Sequence, residues 1–336
     1  MIPARVIIAM LMAVAFAAIG SDKASALCVL ATATATPLIA NTGTYTPPAS
    51  PAAQPVSITI SGTVLAVGGA LAGNCLGAIS FNRVSLPASM LISGGGTATL
   101  PYTLQSSSSG GNTLLYTGGG NPNTANALSF SFPASLLSLN NFSITVGLWA
   151  QAQPGALQQA GFYSDNITIN VFSTTLAGLI DTKLSSQAFT VTGQVAKSCT
   201  IGGVTHPSAD TATIPITASG AVNTSPINRS YSNAVCNTPT NVQLTSQNGA
   251  VVTSASTSGL QRFIDYSALA TFSGASASLD TSSIPAISGP ESGVAASTVG
   301  ATPTGTLGVT ITPKFNAQPL VAGSYSDTLT ITLTPQ

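Results

Sequence analysis

The sequence predicts an all-β protein built from two antiparallel β-sandwiches in tandem, the second of which lacks its last strand. Short runs of the chain alternate between apolar and small polar residues with a period of two, which is the pattern of half-buried strands. Gly, Pro and Asn separate these runs, and no long stretch carries the apolar stripe of an amphipathic helix. A phrase from the middle of the chain also returns close to its end, which indicates a structural repeat.

The first element is an export signal at residues 1–26. Arg5 supplies positive charge, an apolar core follows, and the small residues "ASA" at 24–26 offer a cleavage site after Ala26. The apolar run is short for a membrane span, so cleavage is favoured over an amino-terminal anchor. We therefore expect an exported mature chain that starts near Leu27 and passes through the periplasm.

The mature chain is almost free of charge. Six Lys and Arg stand against seven Asp and Glu after residue 26, and charged residues are 5% of the whole sequence. Nucleic acid and anionic membranes require clustered positive charge, which this chain lacks. Ser and Thr hydroxyls are left to solvate the outer faces of the strands.

The four cysteines are Cys28, Cys75, Cys199 and Cys236. They permit three pairings, and one pair in each copy of the repeat favours Cys28–Cys75 and Cys199–Cys236. An exported protein keeps such bridges oxidised. A zinc site is disfavoured, because no two cysteines have the spacing of a zinc knuckle and His206 is the only histidine.

Alternating runs mark strands in both halves of the chain. One face of each run is apolar, and these faces are formed by Val56, Ile58 and Ile60; Ile144, Val146 and Leu148; Ile167, Ile169 and Val171; Phe189, Val191 and Val195; and Leu329, Ile331 and Leu333. Two charged residues interrupt the pattern in "LIDTKLSSQ" at 179–187. We therefore predict a first domain at 27–180, a linker at 181–187 and a second domain at 188–336.

The repeated phrase reads "AGFYSDNITINVF" at 160–172 and "AGSYSDTLTITLT" at 322–334. Corresponding residues are 162 positions apart, and seven of the first twelve are identical. Each copy supplies a Gly for the turn, a Tyr for the corner and an Asp expected to bond local backbone amides, namely Gly161, Tyr163 and Asp165, and Gly323, Tyr325 and Asp327. Each Asp stands without a second carboxylate nearby, so a turn role is favoured over catalysis.

The two copies differ in the length of chain that comes after them. The first precedes "STTLAGLIDT", which is long enough for a further strand, whereas only Pro335 and Gln336 come after the second. We therefore expect the second sandwich to have an open strand edge, which is a docking site in an assembly.

Three motifs of the second half resemble a known family. "FTVTGQVAKSCTIGG", "FIDYSA" and "PLVAGSYSDTLTITLT" look like the spore coat protein U domain, which is used by pilins of archaic, Csu-type chaperone–usher pili. The resemblance covers 188–336 well and the first half more loosely. It implies immunoglobulin-like sandwiches, the second lacking its last strand, with a donor-strand groove lined by Phe189, Val191, Val195, Leu329, Ile331 and Leu333.

The resemblance also implies partners and a position in the fibre. A periplasmic chaperone lends the missing strand, an outer-membrane usher exports the subunit, and the amino-terminal extension of the next subunit replaces the chaperone. Only Leu27 precedes Cys28 in the expected mature chain, so this subunit can receive a strand but has none to donate. Two-domain subunits of this type are tip adhesins, which places the protein extracellularly at the pilus tip, with no cofactor and no metal.

Apolar segments of the first domain are candidates for attachment to hydrophobic abiotic surfaces and biofilm formation. They lie at 65–73, 88–96 and 134–142, and the candidate residues are Leu65, Val67, Leu71, Met90, Leu91, Ile92, Leu136, Leu137 and Leu139. Each segment can equally be a buried strand, because apolar runs are usually core. For Trp149, which is out of phase with the face of its strand, packing is favoured over ligand contact.

Other functions remain as alternatives. A sugar-binding tip would need an aromatic platform and polar groups, for which Tyr102, Tyr116 and the stretch 118–126 are candidates. A minor structural pilin or a spore-coat-like structural protein is a further alternative. Catalysis is disfavoured, because His206 has no serine elbow or nearby carboxylate and no pair of acids stands out.

Overall fold

The computed structural model describes residues 27–67, 74–118, 120–133, 139–155, 157–174, 180–205, 207–255, 258–283 and 289–336. These residues form an all-β fold with two short 3₁₀ helices at Thr124–Asn126 and Thr281–Ser283. Within this part of the chain, no helix is long and apolar enough to cross a membrane. The predicted all-β fold class is confirmed.

The strands fall into two units that share no sheet. The strands of the first unit are β1 (Leu27–Thr36), β2 (Ile39–Tyr45), β3 (Gln54–Val67), β4 (Asn74–Asn82), β5 (Ser89–Ile92), β6 (Thr99–Gln105), β7 (Leu115–Tyr116), β8 (Leu128–Pro133), β9 (Leu139–Ala152), β10 (Gly161–Thr174) and β11 (Ile180–Val195). The strands of the second unit are β12 (Cys199–Ile201), β13 (Ile227–Cys236), β14 (Thr240–Ser246), β15 (Val251–Val252), β16 (Phe263–Ile264), β17 (Tyr266–Phe272), β18 (Ala275–Asp280), β19 (Glu291–Ser292), β20 (Ala296–Ser297), β21 (Thr304–Pro313) and β22 (Leu329–Pro335).

The first unit has the strand order of an immunoglobulin sandwich. The antiparallel series β1-β3-β9-β6 corresponds to the A-B-E-D sheet, and β4, β10 and β11 correspond to C, F and G. Strand β10 lies between β4 and β11 and is antiparallel to both. These strands alternate because one face packs on the other sheet while Ser and Thr face outward.

A bent first strand closes this unit. Strand β1 pairs with β3, the chain turns at Pro37, and β2 then pairs in parallel with β11. The backbone N–H of Ala35 donates to the Gln187 side chain, so β1 is also tied to β11. Strand β11 therefore has a neighbour on each edge, β10 on one side and β2 on the other.

The second unit repeats the same order, except that no described strand takes the place of β11. The series β12-β13-β21-β17 corresponds to β1-β3-β9-β6, and the pair β14 and β22 corresponds to β4 and β10. The sheet that contains β18 is joined on one side to the sheet that contains β14. Ser278 of β18 exchanges backbone hydrogen bonds with Val294, which lies between β19 and β20. Strands β19 and β20 both pair with β14. No described residue provides a counterpart of β11.

The predicted linker and domain boundary need correction. Residues 181–187 lie in β11, which pairs with β10 from Ile180 to Val195. The break between the units is at residues 196–198, between β11 and β12. The charged residues Asp181 and Lys183 suggested a linker, but both are exposed on strand β11, where its register with β10 shifts.

Each unit has its own core. The first centres on Ile58, Phe81, Leu104 and other fully buried residues between Ala33 and Val195, and the second on residues such as Val242, Leu244 and Phe272. The predicted Cys199–Cys236 disulfide is confirmed, with an S–S distance of 2.05 Å. Cys75 is buried and disulfide-bonded, while the side chain of its predicted partner, Cys28, lies outside the described residues.

Candidate functional site

The repeated phrase begins the F strand of each unit with a tyrosine corner. The Tyr163 hydroxyl donates to the backbone oxygen of Gln159 at 2.6 Å, and the Tyr325 hydroxyl donates to that of Val321 at 2.8 Å. Both acceptors precede the tyrosine by four residues. The corner role predicted for both tyrosines is therefore confirmed, with Tyr163 near the start of β10 and Tyr325 four residues before β22.

The aspartates of the phrase bind distant strands rather than the local backbone. Asp165 accepts hydrogen bonds from Arg83 at 2.6 Å and from the Tyr102 hydroxyl at 2.8 Å. Burial, followed by the charge of Asp165, raises the pKa of Tyr102 above its ordinary value of 10.0. The sequence prediction of a local turn role was wrong, because Tyr102 lies on β6 and Arg83 directly after β4, both far from Asp165 in the sequence.

The second unit contains the matching network. Asp327 accepts from the Ser246 hydroxyl and the Tyr266 hydroxyl, each at 2.6 Å, and from the backbone N–H of Asn248 at 3.0 Å. Burial, followed by the bond to Asp327, raises the pKa of Tyr266. Tyr102 and Tyr266 occupy the same strand position, D, so the two F strands are held in equivalent places.

The first unit shows what normally covers an F strand. Ile167, Ile169 and Val171 of β10 are 4%, 0% and 0% exposed. Strand β11 lies along them, with Phe189 directly opposite Ile167. The Phe189 ring is fully buried and meets Phe81 edge-to-face at 4.9 Å.

This placement corrects half of the predicted groove. Phe189, Val191 and Val195 were expected to line a groove in the second unit, but they belong to the core of the first. They are 0%, 0% and 2% exposed and are the side chains that β11 inserts beside β10. The sequence could not assign them, because an alternating strand at a domain boundary fits the end of one sandwich as well as the start of the next.

The other half of the predicted groove lies at an open edge. Leu329, Ile331 and Leu333 of β22 pack against the core of the second unit but are only half-buried. They correspond in the repeat to Ile167, Ile169 and Val171. Strand β22 pairs with β14 on one edge, and no described residue pairs with its other edge.

The facing sheet is also short at this place. Strand β12 pairs with β13 only at residues 234–236, whereas β1 accompanies β3 along most of its length. Ile201 and Tyr231, on β12 and β13, are half-buried against the same core. The second unit therefore has a slot between β22 and β13, flanked by apolar side chains and an unpaired strand edge.

Those predicted surface-binding residues that the structure describes lie at both ends of the first unit. Asn74 pairs with Pro133 and Leu65 with Leu139, so these described residues lie at the end of the first unit that is remote from the second unit. Leu65, Val67 and Leu139 lie in strands β3 and β9 rather than in loops, and their side chains lie outside the described part. Leu71, Leu136 and Leu137 lie outside the described residues altogether.

The segment at 88–96 lies at the opposite end, beside the junction. Ile92 pairs with Tyr163 at the start of β10, and Gly161 there pairs with Val195. The prediction for Met90 was wrong, because its side chain is 0% exposed and belongs to the core. Leu91 is 57% exposed, and Ile92 is half-buried against the core.

The aromatic platform suggested for a sugar site is not at the surface. Tyr102 and Tyr116 are 3% and 9% exposed, and the hydroxyl of Tyr116 accepts from Asn170 within the first unit. Trp149 is half-buried on β9. Among the described residues, no group of His, Cys, Asp and Glu could hold a metal ion, and His206 lies outside them.

Sequence reasoning missed one buried residue at the junction. The side chain of Asn237 accepts from the Ser198 N–H and donates to the Ala196 oxygen, each at 2.8 Å. Its backbone oxygen accepts from the N–H of Ala160 in the first unit at 2.7 Å. The position of Asn237 beside Cys236 was the only feature of the sequence that could have pointed to its role at the junction.

Comparisons with solved structures find several adhesive subunits of pili. One match is the CsuC–CsuE chaperone–tip adhesion subunit pre-assembly complex from the archaic chaperone–usher Csu pili of Acinetobacter baumannii. Its identity is 14% and its TM-score is 0.36, and the match covers 92% of this chain and 100% of that chain. The CupB6 tip adhesin of Pseudomonas aeruginosa matches at 9% identity and a TM-score of 0.30. The match covers 93% of this chain and 94% of that adhesin. CfaE, the adhesive subunit of CFA/I fimbria of enterotoxigenic Escherichia coli, matches at 13% identity and a TM-score of 0.26. The match covers 93% of this chain and 81% of CfaE.

These structural neighbours are pilus adhesins. Identities and TM-scores this low transfer no function by themselves. No protein-family model matches the sequence, and no curated protein matches it either.

Proposed function

We propose that this chain is the tip subunit of a chaperone–usher pilus. The single observation that carries the proposal is the free edge of β22, where Leu329, Ile331 and Leu333 stay half-buried while their counterparts on β10 are covered by β11. An apolar face beside unpaired backbone groups is recognised by an added strand, which bonds the edge and fills the pockets with alternate side chains. The same edge left bare promotes aggregation.

The sequence resemblance supplies the partners. A periplasmic chaperone fills the slot first, the usher exports the complex, and a neighbouring pilin then donates its amino-terminal extension. Strand β22 runs toward the junction between the units, because its last residue, Pro335, lies opposite Thr240. Thr240 is three residues after Asn237, which lies at the junction. A pilin positioned beyond the other end of the second unit can therefore reach the slot with an extension that runs antiparallel to β22.

We assign attachment to the remote end of the first unit. The described parts of the apolar segments at 65–73 and 134–142 lie at this end, where Leu65 pairs with Leu139. The ends of β10 and β11 lie there too, where Thr174 pairs with Ile180. Contact with an apolar material contributes roughly 25 cal/mol per Å² buried, and many pili acting together multiply a weak contact.

The assembly half of the proposal is tested by expression in the periplasm. The mature chain alone should aggregate or be degraded, whereas co-expression with its chaperone should give a soluble one-to-one complex. Immunogold labelling should then mark the ends of pili. A chain that is a stable monomer without any chaperone contradicts strand acceptance, and label along the shaft contradicts the tip position.

The attachment half is tested with matched leucine variants. Leu137→Ser and Leu71→Ser, in the two apolar segments that we assign to attachment, should leave pili assembled but reduce cell attachment to polystyrene. Leu91→Ser is the control, because Leu91 is 57% exposed but lies at the junction end. Equal loss of attachment in all three variants, or loss of assembly in the first two, would overturn this assignment.

A further inference from the structure

One tryptophan projects from the outer face of the first unit. Every second residue of β9 from Phe142 to Ala152 points into the core, and all of these residues are buried except the half-buried Ile144. Trp149 has the opposite parity, so it lies on the outer face of the A-B-E-D sheet, where it is half-buried. A large aromatic ring on the solvent side of a sheet is exposed at a cost and points to a ligand.

The neighbours of Trp149 on this face are uncharged. Pro55 of β3 and Gln105 of β6 pair with it directly on its two sides, so their side chains share its face. Gln151 follows two residues later on β9 and pairs with Thr103 of β6. The indole therefore lies between a proline and two primary amides.

The two amides have hydrogen-bonding capacity left over. The Nε2 group of Gln151 donates to the backbone oxygen of Pro51 at 3.0 Å, and its Oε1 accepts nothing from the described residues. The Nε2 group of Gln105 donates to the Thr103 hydroxyl at 3.1 Å, while its Oε1 is buried and has no partner. A buried acceptor without a partner is costly, so an amide that turns outward to a ligand hydroxyl exchanges one hydrogen bond for another.

An open space adjoins the indole along β9. Gly147 lies two residues before Trp149 on the same face, and a Cβ atom placed there would meet no heavy atom within 4 Å. Ser57, directly opposite on β3, is exposed, and the pairing of the two strands has no bulge at this point. Glycine within a regular strand weakens it and marks a place where a ligand can approach closely.

The charges of the first unit all lie elsewhere. Between residues 27 and 195 the charged side chains are Arg83, Asp165, Asp181 and Lys183, which lie on or directly after strands of the opposite sheet. An anionic ligand would find no cation near Trp149. A protein partner would need a broad apolar centre, whereas this face offers one aromatic ring among amides and hydroxyls.

We propose that the outer face around Trp149 is a binding site for neutral oligosaccharides. A pyranose ring has an apolar face of C–H groups, which stacks on an indole, and a rim of hydroxyls that needs donors and acceptors close by. Trp149 supplies the platform, Gln105 and Gln151 the amides, and Gly147 the room for an adjoining sugar ring. The site lies on the side of the sandwich and is independent of strand acceptance by the second unit and of attachment through the remote end.

Calorimetric titration tests this site. The purified mature chain, alone or with its chaperone, is titrated with maltohexaose, cellohexaose and N-acetylchitohexaose, and with a hexamer of galacturonic acid as the charged comparison. The chaperone by itself is the blank. At least one neutral hexasaccharide should bind, and Trp149→Ala should weaken that binding at least about tenfold. The galacturonic acid hexamer should not bind.

Gly147→Thr separates ligand binding from a structural role. Threonine is favoured in strands and meets no atom at this position, so the free energy of unfolding in urea should not fall. Its side chain fills the space beside the indole, so binding should weaken at least about tenfold. Phe162→Ala is the matched control, because Phe162 is an aromatic residue with 64% exposure on β10, in the opposite sheet, and its loss should leave binding unchanged.

The remaining outcomes count against the proposal. No binding of any neutral hexasaccharide, or equal binding by the parent chain and Trp149→Ala, overturns the site. Full binding by Gly147→Thr, or an equal loss in Phe162→Ala, shows that the sugar is held elsewhere. Tighter binding of the galacturonic acid hexamer overturns the assignment to neutral sugars.

Discussion

At the scale of single residues, the two units are held by the same device, a carboxylate at the start of the F strand that accepts a buried tyrosine hydroxyl. In the first unit the carboxylate also pairs with Arg83, and both side chains of the ion pair are mostly buried, at 19% and 15% exposure. In the second unit Ser246 replaces the arginine, so no ion pair is needed. A buried pair contributes little net stability but is costly to break.

The tyrosine of this device makes the first unit sensitive to high pH. The pKa of Tyr102 is raised above 10.0 in the folded chain, so between pH 10 and the folded pKa the unfolded state loses a proton that the folded state keeps. Stability is therefore fully present below about pH 10 and falls above it, by about 1.4 kcal/mol per pH unit for this residue. Urea unfolding followed by the fluorescence of Trp149, the only tryptophan, reports the first unit.

A phenylalanine variant isolates this contribution. Tyr102→Phe should be less stable at pH 7 by about 0.5–1.5 kcal/mol, because a hydrogen bond is lost, and should lose less stability between pH 10 and 12. Tyr325→Phe, in the second unit, should leave the Trp149 transition unchanged. An unaltered alkaline slope in Tyr102→Phe would show that other groups cause it.

At the scale of elements, strand β5 shows why an apolar run is ambiguous. Its residues alternate, so Met90 is fully buried while Leu91 is 57% exposed. The run "SMLI" has one polar residue, Ser89, on the same face as Leu91. Four residues are too few for periodicity to decide which face is inside. Only the position of the strand beside β10 decides it.

This alternation predicts opposite outcomes for two adjacent substitutions. Met90→Ala should lower the free energy of unfolding by about 2–5 kcal/mol, because it leaves a cavity in the core. Leu91→Ala should change it by no more than about 0.5 kcal/mol, because the side chain is already largely in water. Urea unfolding by Trp149 fluorescence measures both, and equal effects would contradict the assigned faces.

The elements also show how far sequence reasoning reached. The repeat, the tyrosine corners, the second disulfide and the apolar face of β22 were predictable, because each depends on local pattern or on spacing within one copy. The place of β11 was not, because strand pairing is a contact between distant parts of the chain. Gln187 binding Ala35 and Asn237 binding Ala196 are likewise long-range bonds that leave no periodic signal.

At the scale of the whole molecule, the two units meet through residues 196–198 and one buried asparagine. Asn237 is 3% exposed and bonds to Ala196, Ser198 and Ala160, on both sides of Lys197. Buried polar groups are costly when left unsatisfied, so this side chain fixes the connecting segment.

Trypsin provides a direct measure of that role. Asn237→Ala should increase cleavage after Lys197 by about tenfold or more, because the segment loses two side-chain bonds and opens locally more often. Asn241→Ala, on β14, is the control, since its side chain makes no hydrogen bond with the described residues. Cleavage after Lys183, within the paired strand β11, should stay slow in both variants. Unchanged cleavage after Lys197 would show that Asn237 does not hold the segment.

The position of β11 has a mechanical consequence. A force that pulls the two units apart enters the first unit at Val195 and acts along the axis of β11, which lies between β10 and β2. The ladder on both edges is then loaded in shear, so many hydrogen bonds share the tension at once instead of opening one after another. The strand that completes the first sandwich is thus also placed to resist being drawn out of it.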